Sequence, residues 1–177
     1  MNAAIVYESL WGDTAEVARA IAEGFGEGAR VLSTAEATPE VLAETGLVIA
    51  GAPVHMGHLP SDKTRSKAQE RFEDSENWPE LPEPDLTHPS MHAWLDALPK
   101  RKGSLGAAFD TRSPGKWTGN SAGRIASKLK SRGYRQLVAP TGFVVESQSG
   151  PLATGERERA VEWGREISRQ ADAARAG

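Results

Sequence analysis

The chain has 177 residues, no cysteine, a formal net charge of −3 and a hydrophobic content of 38%. Zero cysteines exclude disulfides, thiolate nucleophiles and iron–sulfur ligation, and the mildly acidic balance argues against a nucleic-acid footprint. No apolar run reaches the roughly 20 residues that cross a bilayer, and the start, MNAAIVYESL, lacks a basic region and a small-residue cleavage site. The expected location is therefore cytoplasmic, away from membranes, and the expected organisation one domain over residues 1–177.

In chain order, residues 3–7 (AAIVY) form the first predicted strand, apolar enough to be covered on both faces. From Asp13 the period changes: Val17, Ile21 and Phe25 share one helical face, with Glu16, Arg19 and Glu23 opposite. Glycines at 24, 26 and 28 end that helix. Residues 30–33 read as a second strand, and Thr38-Pro39 opens a short helix with Thr38 as cap. Residues 47–50 (LVIA) are a third buried strand, running into Gly51-Ala52-Pro53. Residues 62–89 are polar and rich in acids and prolines; they read as a helix passing into an irregular insertion, with Trp78 as its local anchor. A short amphipathic helix is expected over 91–98, a fourth strand over 104–109 and a helix over 122–132. The fifth strand is expected in two pieces, 137–139 and 143–145, interrupted near Pro140, and the last helix over 154–173. Strands alternating with helices imply a parallel sheet with right-handed crossovers. Ligands of such sheets bind beyond the carboxyl ends of the strands, here the loops at 8–13, 52–60, 110–119 and 142–155.

The first of these loops, SLWGDT, sets Ser9, Gly12 and Thr14 at a helix start, where N–H groups lack acceptors and the dipole is positive. That arrangement suits a phosphate monoester. No lysine follows the glycine, so it is not a triphosphate loop. The same residues also read as an ordinary cap and turn. Lys100-Arg101-Lys102 precedes the fourth strand and so lies at the opposite edge, as a solvated face. A lone Glu8 does not make the paired-acid pocket of a receiver domain, and Ser9 lies outside a G-x-S-x-G elbow. His55 and His58 have no nearby carboxylate or thiol to complete a metal set, so no metal is expected.

The order of elements and these loop residues together resemble the flavodoxin family over nearly the whole chain. The resemblance implies an α/β fold, a doubly wound five-stranded parallel sheet of order 2-1-3-4-5 with helices on both faces. It also implies FMN as cofactor. In that family a hydroxyl-x-hydroxyl-Gly-x-Thr loop holds the FMN phosphate; Ser9, Leu10, Trp11, Gly12, Asp13 and Thr14 occupy it here, with Trp11 replacing the middle hydroxyl. Trp11 could lie against the flavin edge or fold onto the surface. Pro53, Val54, His55, Met56 and Gly57 would flank the isoalloxazine, with Gly57 able to take positive φ in a redox-linked peptide flip. Backbone amides at Asp110, Thr111 and Arg112 would read its pyrimidine end, and Trp117 would stack on it. Arg112 and Lys116 would supply cations beside it. No separate G-x-G-x-x-G nicotinamide fingerprint is present. The implied function is an FMN-binding redox protein, either an electron carrier or a small flavin reductase, exchanging electrons with a redox partner protein or a small-molecule acceptor. The alternative is a flavin-free flavodoxin-like interaction module. The catalytic residues, if any, are not readable from the sequence.

Overall fold

The computed structural model describes residues 1–115 and 119–176. Six strands form one parallel sheet: β1 (Ala3–Tyr7), β2 (Ala29–Ser33), β3 (Leu47–Pro53), β4 (Leu105–Arg112), β5 (Arg135–Gln136) and β6 (Thr141–Val144). Their order is β2-β1-β3-β4-β5, with β6 also on β4, so β5 and β6 are two pieces of one interrupted edge strand. The order 2-1-3-4-5 is thus the flavodoxin arrangement. The interruption includes Pro140, as expected, but the first piece of the strand lies earlier than 137–139. Pairing is made by Arg135 and Gln136, then by Thr141 to Val144, and residues 137–139 fall in the gap.

Strand side chains alternate between two cores, as a doubly covered sheet requires. Ala3, Ile5, Leu47, Ile49 and Phe109 face helices α1 (Asp13–Phe25) and α6 (Glu156–Ala176). Ala4, Val6, Val48, Ala50 and Ala108 face α2 (Pro39–Ala43), α4 (Met91–Ala97) and α5 (Ser121–Ser131). On the first face, α1 and α6 touch backbone to backbone. A Cβ at Gly24 would fall on the Val161 carbonyl and one at Gly164 on the Ile21 carbonyl. Glycine is required there because two helices approach closer than any side chain permits. The α2 start follows the expected chemistry: Thr38 Oγ1 accepts from Val41 N–H, with Pro39 at the first turn. Arg101 leaves the basic run to bond the Leu42 and Ala43 carbonyls at the end of that helix.

The remaining described helix, α3 (Asp62–Glu73), opens on a Ser61–Thr64 capping box. Residues 74–90 then form an irregular strap. Its ties are mostly backbone ones: Asp85 N–H donates to Leu10 O at 2.8 Å, Trp11 Nε1–H to Pro82 O at 2.9 Å, and Thr34 Oγ1–H to Pro89 O at 2.6 Å. Trp78 is not a buried anchor; it is 41% exposed and lies under the Arg71 guanidinium at 4.9 Å. Among the described residues no helix is long and apolar enough to cross a membrane.

Candidate functional site

The loops after β1, β3, β4 and β6 meet at the carboxyl edge of the sheet and enclose a cleft of about 420 Å³. At its base α1 starts without a side-chain cap. The N-cap is Gly12 at φ 103°, a conformation L-residues resist, and it offers no acceptor to the first-turn N–H groups. Ser9 Oγ accepts the Gly12 N–H at 3.0 Å, which leaves its own O–H proton free to donate. Thr14 and Thr111 share a buried hydroxyl–hydroxyl bond of 2.7 Å that pins α1 to the end of β4. Asp13 bonds its own N–H, and burial raises its carboxyl pKa. Trp11 contributes no donor to this cradle, since its Nε1–H is taken by Pro82.

The loop after β3 is a tight turn. His55 and His58 exchange backbone N–H···O bonds of 2.9 and 3.0 Å across Met56 (φ 53°) and Gly57 (φ 79°). The sequence reading assigned positive φ to Gly57 alone, yet Met56 shares it, an uncommon state for a side-chain-bearing residue. His55 is 4% exposed, neither ring nitrogen has a hydrogen-bond partner among the described residues, and its ring meets Trp11 edge-on at 6.2 Å. Burial pushes its pKa down to about 4, helped by the nearby charge of Arg71. It is neutral at pH 7, with one donor and one acceptor nitrogen.

Asp110, Thr111 and Arg112 lie inside β4, paired with β3 and β6, and not in a loop beyond it. Much of their backbone is therefore engaged in the sheet, and Thr111 and Arg112 line the cleft. The Arg112 guanidinium grips the fully buried Asp110 carboxylate at 2.6 and 2.5 Å, and that carboxylate also accepts from Ala122 N–H at 2.8 Å. The positive charge expected beside a ligand is largely neutralised by Asp110. Trp117 and Lys116 lie outside the described residues.

Ser9, Leu10, Trp11, Asp13, Thr14, Pro53, Val54, His55, Thr111 and Arg112 thus share one cleft, and Met56 and Gly57 line its wider mouth of about 910 Å³. Gly12 shapes the turn, while Asp110 stands behind the wall. Reasoning from sequence missed Ser113, Val145, Gln148 and Arg71, which also line the cleft or its mouth. Arg71 Nη1–H donates to Gln148 Oε1 at 3.2 Å across 77 residues of chain, a proximity no local pattern announces. Among the described residues, no cluster of three or more His, Asp or Glu is placed to hold a metal.

Beneath the first loop sits a second polar assembly. Glu8 is fully buried; one carboxylate oxygen accepts the Met91 N–H at 2.6 Å, and the other has no hydrogen-bond partner. Arg65 Nε stands 3.5 Å from that second oxygen, an ion-pair distance, while its Nη2–H donates to His88 O at 2.7 Å. Desolvation outweighs both the Met91 bond and the Arg65 charge, and the Glu8 carboxyl is pushed up to about 7.

The sequence profile of flavodoxin matches residues 5–163. No sequence among curated proteins matches the chain. Among solved structures the chain is similar to a flavodoxin from Archaea, at 19% identity over 97% of this chain and 99% of that one, TM-score 0.66. It is also similar to a WrbA-like flavodoxin from Agrobacterium tumefaciens (21%, covering 99% and 98%, TM-score 0.62). An oxidised flavodoxin 1 from Bacillus cereus aligns at 16% identity, covering 96% and 98%, with a TM-score of 0.62.

Proposed function

The chain belongs to the flavodoxin family, and from that premise we propose that it is an FMN-binding redox protein. The observation that carries this reading is the uncapped start of α1, where a left-handed Gly12 leaves N–H groups without a side-chain acceptor inside a cleft. A dianionic phosphate monoester suits such a site, because helix-terminal N–H groups and the dipole favour negative charge without a paired cation. The residues present fit the group. Ser9 O–H and the first-turn N–H groups of α1 would hold the phosphate, and Thr14 and Thr111 would fix the floor beneath it. Val54, His55 and Met56 would flank the ring.

When bound, FMN supplies the electron-transfer chemistry; the protein sets its orientation, its access to water and the charge around it. Val54 N–H donates to Thr111 O at 2.7 Å, so the turn that flanks the ring is fastened to the end of β4. His55 is neutral and carries both a donor and an acceptor, so it can bond the ring without adding charge. Because Asp110 neutralises Arg112, this wall adds little positive potential. One observation favours the alternative, an interaction module without flavin: Trp11 stands where a hydroxyl would hold phosphate, and it is tied to the strap. The two readings separate by calorimetry. The proposal expects FMN to bind well above riboflavin and FAD, with Ser9→Ala/Thr14→Ala erasing most of the preference over riboflavin. Equal affinity for FMN and riboflavin would sink the phosphate cradle.

A further inference from the structure

The mouth of the cleft carries polar groups that the described residues satisfy only in part. Arg71, on the last turn of α3, reaches across to the loop after β6 and bonds Gln148 Oε1 at 3.2 Å. It forms no ion pair with any described carboxylate. That bond fixes the Gln148 amide so that its oxygen is the acceptor, and the amide Nε2 is left buried with no partner. His55 faces the same opening with both ring nitrogens unpartnered. Among the described residues, a guanidinium stacked on Trp78 but without a carboxylate partner, an amide nitrogen without an acceptor and an unpartnered imidazole therefore line one opening.

We propose that Arg71 and Gln148 form a second ligand subsite, at the mouth of the flavin cleft, for the carboxylate of a small aromatic acid. The planar guanidinium and the adjacent amide present N–H groups suited to two oxygens of one carboxylate. The unmatched positive charge selects an anion, whereas oxidised isoalloxazine is neutral. The apolar part of the ligand would rest on the outward part of Met56, which is 44% exposed at the rim. Arg71 stands apart from the phosphate cradle at the α1 start: it lines only the mouth, Asp13 and Thr14 line only the base, and Gln148 and His55 line both. The subsite's position beside the flavin rests on the function proposed above, while its donor set does not.

The test is calorimetry on the full chain, with and without FMN, using benzoate, its neutral isostere benzamide, and inorganic phosphate. Benzoate should bind both forms, benzamide at least tenfold more weakly, and phosphate should not displace benzoate. Arg71→Met should weaken benzoate at least tenfold while leaving FMN affinity within twofold. Gln148→Glu, which gives Arg71 a counter-ion without emptying the wall, should have the same effect. Equal binding of benzoate and benzamide, or an unchanged affinity in folded Arg71→Met and Gln148→Glu, would overturn the subsite. Displacement of benzoate by phosphate would overturn the carboxylate assignment, and expulsion by FMN would show that the opening belongs to the flavin itself. If FMN fails to bind, the proposed function falls, and benzoate titration of the flavin-free chain still decides the subsite.

Discussion

Glu8→Gln should remove a pH dependence from the stability of the protein. The Glu8 carboxyl is pushed up to about 7 in the fold by burial, from the 4.5 of an ordinary glutamate. Between those values the native state holds a proton that the unfolded chain has released, so stability falls as pH rises from about 4.5 through 7. That difference amounts to about 2.5 kcal/mol between pH 5 and pH 8 by linkage arithmetic. Glutamine keeps the shape and an acceptor for Met91 N–H, and it does not titrate. His55 works in the opposite sense: its depressed pKa makes stability fall as pH drops from about 6.5 to 4. It is common to both proteins and cancels in their difference. Urea unfolding of both proteins at pH 5 and pH 8 measures the effect. With a slope of about 2 kcal/mol per molar for a domain of this size, the wild-type midpoint should fall by roughly 1 M more than the variant's. Parallel pH profiles would show that Glu8 stays ionised beside Arg65 and would refute the desolvation argument.

Four further outcomes follow from the same geometry. Gly164→Ala should destabilise by about 1–3 kcal/mol in denaturant unfolding, because the added Cβ meets the Ile21 carbonyl where α1 and α6 touch. Arg112→Ala should cost about 3 kcal/mol in denaturant unfolding, the low end for breaking a buried pair because Arg112 is 26% exposed. Proton NMR should find His55 uncharged at pH 5.5, and Arg71→Met should raise its pKa, since Arg71 contributes to the depression. Hydrogen exchange within 74–88 should be slowest at Asp85, whose N–H is bonded to Leu10 O; protection across the whole strap equal to that of β1 would contradict its irregular, exposed character.

Periodicity carried the fold a long way. Alternating strands and helices placed α1 and α5 with their apolar faces inward, and Thr38-Pro39 marked the α2 start to the residue. It failed in two places, for different reasons. Asp110-Thr111-Arg112 looks like a loop in one dimension but is strand, because Arg112 neutralises Asp110 two residues away and Thr111 bonds Thr14. Leu137 to Ala139 looks like strand by composition, yet Pro140 forces the gap there and the pairing moves to Arg135-Gln136 and Thr141 to Val144. At the candidate site, SLWGDT announced the uncapped helix start. The contributions of Arg71, Gln148, Arg65 and the burial of Glu8 depend on contacts between segments far apart in sequence, and no spacing rule reaches them.

The most direct test of the account is the visible spectrum and fluorescence of FMN titrated with the purified protein. The account predicts saturable quenching of flavin fluorescence, a shifted and structured absorption band, and FMN that stays with the protein through desalting. FMN that keeps its free spectrum and fluorescence at high protein concentration would contradict it.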